Sequence, residues 1–284
     1  MAPTITPLPQ AGAEVTGTNL AELTDDDFAT LRAAFVDHGL LFIRDQHLTE
    51  TDHIAFAERW GDININRFFT AHDDHPQIAM VVKEPEQTGN IGELWHTDHS
   101  YDVEPALGSI LVARELPNSG GDTHFASMYA AFDALDDEMT EFVRSHSAVH
   151  SARHAFGAAA FHRDGVEDQF EGRYSNSDVA DAMPDVVHPM VIEHPLSGRP
   201  ALYVNPTFTI GIDGMDADEA QPILQQLYRH AMQPQFVQVL QWQPGTVAFW
   251  DNRAVWHSAQ NDYQGQRRIM HRITIEGCAL SRAA

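Results

Sequence analysis

The segment RRIMHRITIE at 267–276 constrains the fold more than any other stretch of this chain. Its alternation is that of a β-strand, with Arg268, Met270, Arg272 and Thr274 on one face and Ile269, Ile273 and Ile275 on the other. Two guanidinium groups on one face of an otherwise apolar strand are costly to bury without anions. Either that face pairs with some of the 41 acidic residues at the surface, or it lines a barrel or sandwich interior that receives anionic ligands. Arginine suits the second task because its planar fork grips a carboxylate through two bonds. The pattern alone leaves both readings open. Four residues of extended chain span about 13 Å, too far for Arg268 and Arg272 to share one small carboxylate.

The rest of the chain supplies partners for such a strand. Short apolar segments bounded by turn residues recur at 40–45, 77–83, 107–114, 121–125, 187–194, 200–204, 234–242 and 246–250. Helical spacing is found over 25–38, with Thr24 as N-cap and Gly39 as stop, from Thr49 or Thr51 to about Trp60, and over 127–145 and 216–232. Strands without βαβ alternation predict a mostly β protein with flanking helices, a sandwich or barrel. With 284 residues and 43% hydrophobic composition, residues 1–284 are read as a single domain with a core of its own. Residues 151–186 are polar and lack a clean period, and are read as a lid insertion over a site.

Charge and cysteine usage exclude several classes. The formal charge is −24, and Lys83 is the only lysine among 17 basic residues, so no basic stripe offers itself to nucleic acid or to an anionic membrane. The single cysteine, Cys278, rules out an intrachain disulfide and a cysteine-built zinc cluster. A cytoplasmic location is the simplest expectation, and self-association into a homo-oligomer is compatible with everything read here. The acidic balance also means that an anionic small molecule must be held by a local arginine cluster.

Seventeen histidines direct attention to metal ligands. In WHTDHS, His96 and Asp98 are two apart, and on an extended strand both side chains leave the same face. One further histidine would complete a triad of two imidazoles and a carboxylate, the ligand set of non-haem Fe(II) sites with open positions. His257, between the strand-like GTVAFW and the arginine strand, is the strongest candidate. Asp251 and Asn252 beside Arg253 read as a turn network, Asn205 before a proline as a turn or pocket edge, and Trp60, Trp242 and Trp256 as packing.

The blocks WHTD at 95–98, GGDTHFASMYAAFDAL at 120–135, HPLSGRPALYVNPTFT at 194–209 and WDNRAVWHSAQNDYQGQRRIMHRITIEG at 250–277 together resemble the taurine/2-oxoglutarate dioxygenase family (TauD/TfdA). The resemblance implies a double-stranded β-helix, or jelly roll, and an Fe(II)-dependent dioxygenase that uses 2-oxoglutarate and O2 and releases succinate and CO2. It assigns His96, Asp98 and His257 to iron, Thr123 and Arg268 to the distal carboxylate of 2-oxoglutarate, Trp250 to the surroundings of the metal, and Arg272 to the acidic group of the primary substrate. Where taurine-oxidising members carry a histidine and an asparagine, this chain has Asn66 and Gly92, which argues against taurine. VHSARHAFG at 149–157 is instead similar to members that oxidise aryloxyalkanoates. The expected substrate is therefore an anionic organic acid, aryloxyalkanoate-like or sulfonate- or sulfate-like, met by Arg272, Asn66, Phe69, His99 and Phe208, with Phe156 as a further apolar wall. Two other classes are set against this reading: a jelly roll that binds metal or a small acid without turnover, and a zinc-dependent hydrolase using the same three ligands.

Overall fold

The computed structural model describes residues 2–161 and 176–284. Its centre is an eight-stranded sheet that runs Thr4–Pro7, Ala13–Thr16, Leu40–Ile43, Val247–Asp251, Gly108–Glu115, Arg268–Ile275 and Ile63–Asn64, with Ala79–Lys83 also paired to Arg268–Ile275. The arginine strand is thus central and antiparallel to its neighbours, which disposes of the surface reading: Arg268 and Arg272 are 2% and 5% exposed. Among the described residues there are three smaller sheets, one of which runs Val237–Leu240, Thr123–Ser127 and Val255–Ala259 in that order.

Strict alternation divides the large sheet between two cores. From Val247–Asp251, Val247 and Phe249 join Leu31, Phe35, Phe56, Trp60, Ile110 and Ile273. On that side the helices Asp25–His38 and Glu50–Glu58 pack on the sheet, and Phe35 stacks on Phe249 with ring centroids 4.0 Å apart. From the same strand, Ala248 and Trp250 face the opposite core with Phe125, Trp256, Leu224 and Met270. The functional side chains emerge on this second face.

Several local expectations are met. Thr24 accepts from the Asp27 amide, Gly39 closes its helix at φ 67°, and Thr49 with Asp52 forms a reciprocal cap. Others need correction. The helix read over 127–145 is two helices, Met128–Asp133 and Asp137–Ser145, because Asp136 caps the second and forces a break. Val255–Ala259 is a strand that was not read from the sequence. The stretch 151–186 is not devoid of regular structure: it holds the short helices Arg153–Phe156, Ala158–Phe161 and Ser177–Ala182 and the start of Val186–Pro189. Residues 162–175 of the expected lid lie outside the described residues.

Candidate active site

His96 and His257 are brought together by the backbone itself. The two residues form an isolated antiparallel bridge, His96 N–H to His257 C=O at 3.1 Å and His257 N–H to His96 C=O at 2.8 Å. His257 gains its place from the strand Val255–Ala259, paired opposite Phe125. Asp98 does not reach the site along an extended strand, as the two-residue spacing suggested. Regular pairing stops at His96, a single bridge residue, and Asp98 opens a turn over 98–101 in which His99 has φ 60°. Asp98 Oδ1 lies 3.7 Å from His96 Nε2, and Oδ2 lies 4.0 Å from His257 Nε2. One ligand atom from each of the three residues falls within 4.8 Å of the others. Gly92, at φ 77°, lets the chain pass the ring, since a Cβ there would stand 3.3 Å from His96 Cε1.

The donor set fits a divalent transition metal. Burial holds both imidazoles below their ordinary pKa, so each keeps a lone pair. The backbone oxygen of Leu94, 2.7 Å from His96 Nδ1, fixes the proton there and leaves Nε2 free. Burial opposes ionisation of Asp98, but Arg272, then His257 and His96, outweigh it and hold the carboxyl well below its usual range. Ser109 donates to Asp98 Oδ2 at 2.8 Å and Arg272 donates to Oδ1 at 3.1 Å.

These residues face a cavity of about 330 Å³ that also contains Thr123, Trp250, Arg268 and Arg272. Arg268 is the unusual member. It is buried, burial pulls its pKa down, and no carboxylate forms an ion pair with it among the described residues. Its Nε and one terminal nitrogen have no hydrogen-bond acceptor among the described residues. Buried N–H groups of a guanidinium left open in this way ask for an anion. In the same cavity Trp242 Nε1 donates to Thr123 Oγ1 at 2.9 Å, so the Thr123 oxygen is used as an acceptor and its hydroxyl can serve as a donor. Trp242, read from sequence as packing, is therefore part of the site, and Arg268 lies over its ring at 5.6 Å. A tryptophan beside no motif gave no signal of this role.

The remaining expected residues divide. Phe69, Phe156 and Phe208 line the cavity with Tyr101, Ile91 and Leu94, and the Arg272 guanidinium sits 4.3 Å over the Phe69 ring. Asn205 accepts from the amides of Thr207 and Phe208, a turn that presents Phe208. Asn66 is not on the cavity wall; its Oδ1 accepts from the amides of Phe68 and Phe69, so it shapes the turn that delivers Phe69. His99 is also off the wall, its Nδ1 2.9 Å from Asp102 Oδ2, because the turn after Asp98 points it away. Asp251 and Arg253 form the expected turn network, a doubly bonded pair at 2.9 and 2.8 Å.

Residues 4–274 match the profile of the taurine catabolism dioxygenase TauD, TfdA family. The chain belongs to the TauD/TfdA family. It is 34% identical to the (S)-phenoxypropionate/alpha-ketoglutarate-dioxygenase of Sphingobium herbicidovorans, over 96% of this chain and 94% of that one. It is 31% identical to an alkylsulfatase of Acinetobacter baylyi, over 94% of this chain and 82% of that one. Among solved structures it is similar to AAD-2 in complex with Mn(II) and N-oxalylglycine, with a TM-score of 0.78, 27% identity and full coverage of both chains. As a TauD/TfdA protein the chain is a 2-oxoglutarate-dependent dioxygenase, an oxidoreductase that uses Fe(II), 2-oxoglutarate and O2. No helix among the described residues is long and apolar enough to cross a membrane.

Proposed function

We propose that this TauD/TfdA dioxygenase hydroxylates an aryloxyalkanoate-type acid, with His96, Asp98 and His257 holding Fe(II), Arg268 and Thr123 holding 2-oxoglutarate, and Arg272 receiving the substrate carboxylate. The fold is read as the family's jelly roll, with the cavity between the large sheet and the sheet that carries Thr123 and His257. Fe(II) with 2-oxoglutarate and O2 supplies the oxidant that removes a substrate hydrogen while 2-oxoglutarate becomes succinate.

The chain's own contribution is placement. Arg268 and Thr123 fix the far carboxylate of the cosubstrate, so its keto-acid end is directed at the triad. Arg272 has one N–H on Asp98 and a buried Nε with no acceptor among the described residues, which leaves it a donor for a second anion close to the metal ligands. Phe69, Tyr101, Phe156 and Phe208 offer an aromatic wall for the rest of the substrate, and their ring centroids lie 4.8–6.4 Å apart in edge and tilted arrangements. His154, Ala155 and Ala160, from the segment read as a lid, line the same cavity beside this wall and limit the water that reaches it.

The observation that carries the reading is Arg268: a buried guanidinium with open N–H groups in the same cavity as a two-histidine, one-aspartate cluster. A zinc hydrolase has no use for it. The test is succinate release with Fe(II) and 2-oxoglutarate across aryloxy acids, alkyl sulfonates and sulfate esters, with His257→Ala as control. Phenoxyalkanoate-dependent succinate and phenol release, absent in the control, is expected. Turnover confined to sulfonates or sulfate esters would overturn the substrate assignment.

A further inference from the structure

On the opposite face of the arginine strand lies a second cluster of metal-ligating side chains. His271 alternates with Arg272 and so points to the helix-covered side of the sheet, where the helix Glu50–Glu58 begins. Glu50 Oε1 is 3.5 Å from His271 Nδ1. The His72 ring stands edge-on to His271 with centroids 5.5 Å apart, and the three residues each place a ligand atom within 4.8 Å of the other two. The amide of Asp74 donates to His72 Nδ1 at 3.2 Å, so the neutral ring carries its proton on Nε2, and an ion binding at Nε2 must displace that proton. His75 follows on the same short loop, its ring 5.3 Å from that of His72. The loop is held at its base by the bond from the His72 amide to the Ile78 carbonyl at 2.9 Å.

A cation already occupies part of this space. Arg114 Nε donates to His271 Nδ1 at 3.0 Å, and a terminal nitrogen of the same guanidinium lies 3.5 Å from Glu50 Oε1. Arg114 thus bridges two of the three ligands in the way a metal ion would. We propose that Glu50, His72 and His271 form a second, exchangeable site for a zinc-like divalent ion, which binds by displacing the Arg114 guanidinium, with His75 as the nearest fourth donor. Two imidazoles and one carboxylate are a zinc ligand set, and the 3.5 Å between Glu50 and His271 is close to the separation of neighbouring ligands around a tetrahedral ion. The site joins a helix start, a loop and the strand whose other face carries Arg268 and Arg272, and it shares no ligand with His96, Asp98 and His257.

The displacement sets the expected behaviour. Arg114 competes with the metal both by charge and by holding His271 Nδ1, so the site is weaker than the triad, and removing the guanidinium strengthens it. Metal-free protein is dialysed against low-micromolar Zn(II), and bound zinc is counted per chain. Wild type should retain two ions, His72→Ala one, His257→Ala one, and the double variant none. His72 is on a partly exposed loop, so its replacement leaves the core intact, and circular dichroism confirms folding of each variant. Arg114→Gln should tighten the second site at least about tenfold, since two like charges no longer face each other at close range. A His257→Ala protein that retains no zinc would overturn the proposal, as would a His72→Ala protein that still retains two. Arg114→Gln with unchanged or weaker zinc binding would overturn displacement.

Discussion

Arg272 is bonded to a proposed metal ligand, and this makes its removal a test of how charge is shared at the site. In Arg272→Ala the Asp98 carboxylate, with its side chain 8% exposed, loses its strongest charge partner and keeps Ser109 as hydrogen-bond donor beside two neutral imidazoles. Breaking a buried pair from one side costs about 3–5 kcal/mol, because the remaining charge is stranded. For chains near this size each kcal/mol shifts Tm by about 2–4 °C, so the metal-free variant should melt roughly 6–20 °C below metal-free wild type. A divalent ion on Asp98 replaces the missing cation, so with saturating Mn(II) the gap should fall to less than half. The assay is thermal denaturation of both proteins with and without Mn(II), followed by the succinate-to-product ratio with the best phenoxy acid. That ratio should rise well above one in the variant, because the acid is no longer held with its C–H bond in place. An equal loss of Tm with and without Mn(II) would refute the idea that Arg272 is Asp98's charge partner. A coupled reaction with unchanged substrate affinity would refute its role as substrate anchor.

Arg268→Ala should weaken 2-oxoglutarate binding by about 30-fold to several thousand-fold, the range for losing one side of a buried charged pair, and lysine should restore only part of it; anaerobic titration of the iron–keto-acid absorbance checks this. Trp242→Phe keeps the packing but removes the donor to Thr123, and should raise the KM for 2-oxoglutarate by about two- to tenfold with kcat little changed; steady-state kinetics with an unmoved KM would count against it. His53, fully buried and faced by Arg114 and His271, has its pKa pushed down to about 3, first by burial and then by Arg114. Its unfolded value near 6.5 is higher, so the unfolded chain binds the extra proton and stability falls as pH drops below about 6.5, by up to about 1.4 kcal/mol per pH unit. Urea unfolding of His53→Leu between pH 6.5 and 5 should show a slope about one proton shallower than wild type, and parallel slopes would exclude His53 as the cause.

The arginine strand was legible because a period of two needs only eight residues to declare itself; its central position was not, and comes from pairing with Gly108–Glu115 on one side and Ala79–Lys83 on the other. The cap at Thr24 was legible for the same local reason, and the structure chooses Thr49 over Thr51, the two starts that the sequence offered for the second helix. The strand that carries His257 was not: VWHSA mixes a ligand and a serine into five residues, and its β state comes from pairing with Thr123–Ser127, more than 120 residues away. The geometry of His96 and Asp98 was misread for a related reason. Spacing in sequence predicts a shared face only if the backbone stays in a strand, and here the strand pairing ends at His96 and Asp98 lies in a turn.

Asn66 shows a different limit. A polar residue at a position where the family resemblance implied a substrate contact suggests a replacement contact, yet its carbonyl is spent on two backbone amides. The local turn takes the asparagine before any ligand can, because an amide oxygen two residues from free N–H groups satisfies them at almost no entropic cost. What Asn66 gives the site is the position of Phe69, and Phe69 in turn carries the face of Arg272 at 4.3 Å. The choice of residue at 66 therefore acts on the substrate end of the cavity through an aromatic ring and a guanidinium. Arg272 is held from one side by that ring and from the other by Asp98, so the substrate end and the metal end of this cavity are set by one side chain.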